Sequence, residues 1–198
     1  MNRTAIEHAR HRLDKANTAI ARLRASTNFP EAEAAWSDFV MAANAVYSKL
    51  EQGAKSIGRS EAWFGRKKGE RKSDPLLSYL HHARNSDEHS IEPITQRNSG
   101  GWALKSGGAD SSFQMNGTIG PSMSSLRITP ISGAPPFMEI ILPHLQLIAV
   151  NDSRFKDTFH PPTEHLGERL LDVSPLNIAS LFVVYLQSII AEAEAFIP

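Results

Sequence analysis

The chain has 198 residues, of which 41% are hydrophobic and 21% charged, so it can form one domain with a substantial core. Lys and Arg together number 21 and so do Asp and Glu, which leaves a formal net charge of zero. No global positive field therefore attracts nucleic acid, and any such site must be a local patch. The absence of cysteine excludes thiol catalysis, thiolate metal sites and disulfides.

The N-terminal part predicts two amphipathic helices. Apolar residues recur at spacings of three and four from Ile6 to Leu23, which indicates a helix over about 3–26. Asn28-Phe29-Pro30-Glu31 then supplies a cap, an early proline and a capping-box glutamate. The second helix is predicted over about 29–57, with an apolar stripe from Trp36 to Ile57. The short connection favours an antiparallel pair.

The next segment, Gly58 to Lys72, interrupts the apolar pattern and is predicted to be a connecting loop. It contains Trp63 and Phe64 and a group of candidate nucleic-acid-binding cations, Arg66, Lys67, Lys68 and Arg71. One interpretation is that the cations contact a phosphate backbone while the aromatic rings stack on bases. The other is a solvated loop whose aromatic residues cover the end of the helical bundle.

Asp74-Pro75 has the form of a helix cap followed by a first-turn proline, and it begins a third predicted helix. Leu76, Leu77 and Leu80 face the core of the protein in this prediction. The helix is predicted over about 74–92, because the residue before Pro93 disfavours helical geometry.

The composition changes after Gln96, where turn sequences alternate with short apolar runs. We predict an antiparallel β insertion over about 100–155, in which one face of the sheet is wet. Its five candidate strands are Trp102 to Lys105, Phe113 to Ile119, Ser125 to Ile131, Phe137 to Leu142 and Leu145 to Val150. Phe159 to Gly167 is predicted to be an ordered loop in which His160 and His165 bond backbone groups.

Ser174-Pro175 caps the last predicted helix, about 174–196, whose wide apolar arc makes it the most buried one. The bundle needs this helix from beyond the insertion, so residues 1–198 are predicted to form a single domain. The expected fold is mainly α: a four-helix bundle with a small antiparallel β insertion between helices 3 and 4.

The sequence favours a cytoplasmic protein. Residues 1–8 contain no apolar signal core. The longest apolar run, Leu176 to Ile190, is interrupted by polar residues and is shorter than the roughly 20 residues that a membrane span requires. We therefore expect no membrane association.

The third predicted helix carries a polar cluster of His81, His82, Arg84, Asn85, Glu88 and His89. Arg84 and Glu88 are four residues apart and can form an ion pair. Arg84 and His89 are five apart, about 140° around an ideal helix. They converge only if the helix is distorted, if the long arginine wraps around it, or if a second copy of the chain completes the site.

Arg84-Asn85-x-x-x-His89 resembles the ribonuclease signature of the HEPN helical-bundle superfamily. The resemblance covers residues 1–95 and 174–198 and rests on pattern, not on a long identical string. It implies a metal-independent endoribonuclease that needs no cofactor, is often a homodimer, and acts on RNA in defence or as a toxin. By that resemblance, Arg84 holds the scissile phosphate, His89 transfers the proton, and Asn85 orients one of them. His81, His82 and Glu88 are candidate supporting residues.

The chemistry suits RNA, which carries its own nucleophile, the 2′-hydroxyl. Histidine titrates near neutral pH, and a guanidinium binds phosphate oxygens in bidentate fashion. Two alternatives stay open. The cluster can be a structural network in a non-catalytic binding or assembly module, with Arg84 paired to Glu88 or Asp87. It can also supply metal ligands, although no HExxH arrangement is present.

Overall fold

The computed structural model describes residues 1–55, 58–117, 127–152 and 157–197. These residues contain five α-helices, which are α1 (Arg3–Ala25), α2 (Phe29–Ala54), α3 (Gly58–Ser73), α4 (Pro75–His89) and α5 (Pro175–Glu194). The prediction of a mainly helical protein with small antiparallel strand pairs is confirmed. The chain divides into two compact units: a helical unit, Met1–Arg97 with Leu145–Pro198, and a β unit, Asn98–His144.

Ten short strands lie between α4 and α5 in the described part of the chain. They are β1 (Thr95–Asn98), β2 (Gly101–Lys105), β3 (Ser112–Asn116), β4 (Arg127–Ser132), β5 (Phe137–Ile141), β6 (His144–Leu147), β7 (Val150–Asp152), β8 (Asp157–Phe159), β9 (Glu164–His165) and β10 (Glu168–Arg169).

Helices α1 and α2 form the antiparallel pair that their short connection predicts. The side chains of Asn2 and Asn28 cap the two helices by accepting from the backbone N–H groups of Ala5 and Glu31. The backbone N–H of Asn2 donates to the carbonyl of Gly53 at 3.0 Å, so α1 begins where α2 ends. A Cβ at Gly53 would stand 2.4 Å from that of Ala5, so this close approach requires glycine.

The prediction of a connecting loop over residues 58–72 is wrong, because α3 occupies this segment and gives the described chain a fifth helix. Trp63 and Phe64 are buried, and the hydroxyl of Ser60 donates to the carbonyl of Ala54 at 3.0 Å. With two large apolar residues and three glycines, the segment has no apolar stripe of its own. Contacts with the rest of the bundle stabilise this helix, and intrinsic propensity contributes little.

Helix α5 contributes ten buried residues to the core, among them Phe182, Tyr185 and Leu186. The ring of Phe182 lies edge-on to Phe39 of α2, with centroids 6.4 Å apart. Among the described residues, α5 alone is long and apolar enough to cross a membrane by length and composition, yet half of its most apolar window is buried inside the protein. Core helices of globular proteins pass the same test.

In the helical unit, β1 pairs with β6, β7 with β8, and β9 with β10. The structure differs from the predicted strands in two places. The single strand predicted from Leu145 to Val150 is divided between β6 and β7, and the predicted loop over 159–167 contains the last residue of β8, the strand β9 and the turn that leads to β10. The hairpin turns through Leu166 and Gly167, which have φ angles of +50° and +83°. These strands extend beyond the predicted limits of the insertion, 100–155.

The β unit contains two antiparallel ladders, one nested within the other in sequence. In the outer ladder, β2 pairs with β5 and Trp102 lies opposite Ile140. In the inner ladder, β3 pairs with β4 and Met115 lies opposite Ile128. Several predicted positions fall outside the described residues: Ile57 of the second stripe, Ile119, Ser125 and Leu126 of the predicted strands, and residues 153–155 of the insertion.

Candidate functional site on α4

The third predicted helix is α4, and buried or partly buried polar contacts fix its position in the bundle. The amide of Asn44 on α2 donates to the carbonyl of Leu80 at 3.1 Å. Farther along, the hydroxyl of Ser37 donates to the carboxylate of Asp87 at 2.5 Å. The phenol of Tyr79 donates to the carbonyl of Ile148 at 2.9 Å. Helix α4 is therefore held along its length, and its outward face presents the polar cluster on a rigid support.

The start of α4 contains a buried pair that sequence reasoning missed. Asp74 caps the helix by accepting from the N–H of Leu77 at 2.9 Å. The same carboxylate lies 3.0 Å from Nδ1 of His165 and accepts from the N–H of Leu166 at 2.6 Å. The two side chains are 6% and 9% exposed. The expectation that His165 bonds backbone groups is replaced by this contact with a carboxylate.

Arg84, Glu88 and His89 meet at one oxygen atom near the end of α4. Nη2 of Arg84 lies 2.5 Å from Oε2 of Glu88, and Nε2 of His89 lies 3.4 Å from the same oxygen. The arginine and glutamate side chains are about one-third exposed, and that of His89 is 67% exposed. Glu88 thus lies between Arg84 and His89, and the arginine reaches it as an ordinary pair four residues apart on the helix.

The remaining members of the cluster have partners inside the helical unit. Nη1 of Arg84 donates to the side-chain oxygen of Asn85 at 3.3 Å. The rings of His81 and His82 meet edge to face with centroids 5.0 Å apart. The ring of His82 stacks on Phe159 of β8, at 3.6 Å and 7° between planes. His81, His82 and Asn85 are half-buried. These three side chains pack against the protein, and Arg84 and His89 are the members of the motif that reach solvent.

The predicted nucleic-acid-binding cations lie on α3, and all four interact with other groups of the helical unit, Arg66 through the charge of Glu192. Lys67 pairs with Glu70 and Glu192 at 3.1 and 2.9 Å, and Lys68 pairs with Glu51. Arg71 lies over the ring of Tyr47, 4.9 Å from its centroid. Arg66 is exposed. Trp63 and Phe64 are buried in the core and cover the bundle, so they are not presented for stacking on bases.

A second polar group joins α3 to α5. Glu192 accepts from the indole N–H of Trp63 at 2.8 Å and from Lys67 at 2.9 Å. Partial burial works to raise the pKa of Glu192, but these two donors outweigh it and hold the pKa below its ordinary value. The phenol of Tyr185 donates to Glu70 at 2.9 Å, and burial raises the pKa of this tyrosine.

In the part of the chain that the structure describes, no group of three or more His, Asp or Glu side chains is placed to hold a metal ion. The histidines and carboxylates of α4 contact one another, Arg84, Ser37 of α2 or the ring of Phe159. No family model, curated protein or solved structure matches this chain, so its function must be argued from its own residues.

Proposed function

We propose that this chain is a HEPN-like, metal-independent endoribonuclease that cleaves single-stranded RNA at Arg84 and His89. The observation that carries the proposal is their approach to one anionic oxygen, Oε2 of Glu88. A site that cleaves RNA must bring a cation and a proton-transfer group to one phosphate. The Glu88 carboxylate occupies the place that a phosphate oxygen would take between these two side chains.

In this proposal the RNA phosphate displaces Glu88 from Arg84, whose guanidinium then binds two phosphate oxygens. His89 takes the proton of the 2′-hydroxyl as its oxygen attacks the phosphorus, and gives that proton to O5′ as the P–O5′ bond breaks. The products are a 2′,3′-cyclic phosphate and a 5′-hydroxyl. Asn85 accepts a hydrogen bond from Arg84 and orients it. His81 and His82 are supporting residues of the cluster. No step needs a cofactor.

We also propose a HEPN-like fold, a role for α3 and a biological setting for the protein. Helices α1, α2, α4 and α5 supply the four helices of a HEPN-like bundle, and α3 is an additional helix between the second and the third. On α3 the exposed Arg66 guides the RNA backbone, and Lys67, Lys68 and Arg71 must first exchange their intramolecular partners for phosphate. The protein acts in the cytoplasm as a homodimer, in RNA-directed defence or as a toxin.

The decisive experiment is RNA cleavage in the presence of excess chelator. The wild-type protein is expected to cut single-stranded RNA and to leave 2′,3′-cyclic ends. We expect Arg84→Ala to abolish cutting, because the charge of the pentacovalent phosphorane is then unpaired. We expect His89→Ala to slow it by roughly 100-fold or more, because the proton carrier is lost.

Matched controls separate chemistry from general damage. Arg22→Ala and His8→Ala remove the same side chains from exposed positions of α1 and should leave cleavage unchanged. Arg84→Lys keeps the charge but not the bidentate geometry, so it should retain only part of the activity. Loss of activity in chelator would instead indicate a metal-dependent reaction.

One observation favours a second function, a non-catalytic binding or assembly module. Arg84 is already paired with Glu88 and Asn85, as expected of a cluster that fixes packing. If the wild type cuts no RNA offered, and both Arg84→Ala and His89→Ala unfold, the cluster is structural and this second function stands.

A further inference from the structure

One stripe of α2 faces α4 and continues past its end. Asn44 of α2 donates to the backbone of Leu80. Ser37, seven residues earlier on α2, donates to Asp87, seven residues later on α4. The two helices therefore run antiparallel along this contact. Glu33 lies four residues before Ser37, about 6 Å farther along α2, and is level with the chain that follows α4.

The side chain of Arg97, on β1, is held in place beside Glu33. Its Nε and Nη2 donate to the two carboxylate oxygens of Glu33 at 2.8 and 2.7 Å. These hydrogen bonds hold the pKa of Glu33 below its ordinary value, so the pair stays ionised at neutral pH. The guanidinium also lies over the half-buried ring of Phe29, 5.9 Å from its centroid. Two neighbours thus fix its orientation.

The fixed guanidinium offers a ligand its flat face. The pair of N–H donors that would bind a phosphate is already bound to Glu33, and the carboxylate cancels the charge that would attract one. The side chain of Arg97 is nonetheless 53% exposed. Guanidinium planes of this kind stack on the unpaired bases of RNA. The geometry therefore suits a nucleobase better than a phosphate.

The surface between the α4 motif and Arg97 is open. The side chain of His89 is 67% exposed, and Ile91 is fully exposed. Stacked nucleotides follow one another at roughly 3.4 Å, so a step of ~6 Å along the helix axis spans about one or two nucleotides. A strand whose phosphate is bound at Arg84 can therefore place a neighbouring base on Arg97.

Building on the ribonuclease function proposed above, we propose that Arg97 is a base-stacking platform for an unpaired base near the phosphate at Arg84. Glu33 and Phe29 hold the platform in place. Every base has a flat face, so the platform selects unpaired bases and not a sequence. A base inside a duplex is already stacked between its neighbours and does not reach Arg97.

Fluorescence anisotropy with a labelled single-stranded RNA tests the platform. Full-length protein carrying His89→Ala is the parent, so that the RNA stays intact. Arg97→Ala should weaken binding about tenfold. Arg97→Lys keeps the charge but not the plane, so it should weaken binding nearly as much. Arg22→Ala is the matched control, because Arg22 is 55% exposed and pairs with Asp38, and it should leave the affinity unchanged.

Abasic nucleotides test the same contact from the side of the RNA. Loss of one base near the cleaved phosphate should weaken binding to the parent about tenfold. The same abasic RNA should bind Arg97→Ala no more weakly than the intact RNA does, because the contact is already lost. Circular dichroism verifies that each variant is folded, and the measurement on the parent needs no change at Arg97.

Several results would overturn the proposal. If Arg97→Lys binds like the parent, Arg97 makes a charge contact and not a stack. Arg97→Ala that binds as well as Arg22→Ala excludes a contact, and so does a parent whose affinity no abasic position lowers. In these cases the RNA still binds, so the ribonuclease function is unaffected. A wild-type protein that neither binds nor cuts RNA overturns both proposals.

Discussion

The guanidinium of Arg84 lies 2.5 Å from the carboxylate of Glu88, one helical turn farther along α4. A pair of this kind, about one-third exposed, contributes little to stability, roughly 0.3–0.5 kcal/mol for residues four apart on a helix. The ion pair has a larger effect on the binding of ligands to Arg84. A phosphate that binds Arg84 must displace the carboxylate, whose negative charge also repels the phosphate.

Removal of this charge should strengthen RNA binding. We expect Glu88→Gln to raise the affinity for single-stranded RNA by up to about tenfold, equivalent to ~1.4 kcal/mol. Fluorescence anisotropy with a labelled RNA at fixed salt measures the effect. Glu7→Gln removes an exposed carboxylate from α1 and makes the same change in net charge. If both variants strengthen binding equally, the effect belongs to net charge and not to Arg84.

The elements with strong local signals were predictable from the sequence. The caps Asn28, Asp74 and Ser174 mark the starts of α2, α4 and α5, because a side-chain acceptor beside an early proline is a local signal. The antiparallel pairing in the β unit likewise follows from short alternating runs. The sequence does not predict helix α3, because the contacts that stabilise it are not local. Its lysines pair with Glu51 and Glu192, which belong to other helices.

The sequence places the polar cluster on one helix, but it does not give the contacts among its side chains. Helical spacing allows Arg84 to pair with Glu88, but it places His89 about 140° away on an ideal helix. Glu88, the neighbour of His89 in the sequence, brings both side chains to one oxygen, and spacing says nothing about the side-chain rotamers that allow this. The contact of Asp74 with His165 joins residues 91 positions apart, so no local pattern indicates it.

Asp74 should contribute more to stability than an ordinary helix cap. Asp74→Ala removes the cap of α4, a loss of about 1 kcal/mol. It also leaves the buried His165 and the N–H of Leu166 without their acceptor, at a further cost of about 1–3 kcal/mol. We expect a total loss of about 2–4 kcal/mol in the free energy of unfolding, measured with urea.

Asn28→Ala is the matched control for Asp74→Ala. Asn28 caps α2 from an exposed position, and its side chain accepts from the N–H of Glu31 at 2.9 Å. Its loss should cost only about 1 kcal/mol. Equal losses in the two variants would show that the contact with His165 adds nothing to the cap.

The stability that Glu192 provides should depend on pH. Since the folded pKa of Glu192 lies below its ordinary value of 4.5, its contribution is present above pH 4.5 and is lost as the pH falls through the folded pKa. Its side chain is 43% exposed, so we expect Glu192→Gln to cost only about 0.5–1 kcal/mol at neutral pH. Urea unfolding of both proteins across pH 3–7 should show this difference shrinking in acid. A difference that stays constant across the range would contradict the assignment.

The turn of the β9–β10 hairpin offers a stabilising substitution. Leu166 has a φ of +50° and Gly167 one of +83°, so both residues adopt the left-handed conformation of a two-residue type I′ turn. That conformation costs an ordinary residue roughly 1–2 kcal/mol, whereas asparagine tolerates it. The leucine side chain is 60% exposed and loses little packing when it is replaced.

We therefore expect Leu166→Asn to raise the free energy of unfolding by about 0.5–1 kcal/mol and the melting temperature by a few degrees. The N–H of residue 166 still donates to Asp74, so the buried contact of α4 is kept. Leu166→Val, with a β-branched side chain at the same φ, should be destabilising. If turn strain dominates, calorimetry should give melting temperatures that decrease in the order Asn, Leu and Val at position 166. The reverse order would show that the exposed leucine stabilises the hairpin through its side chain.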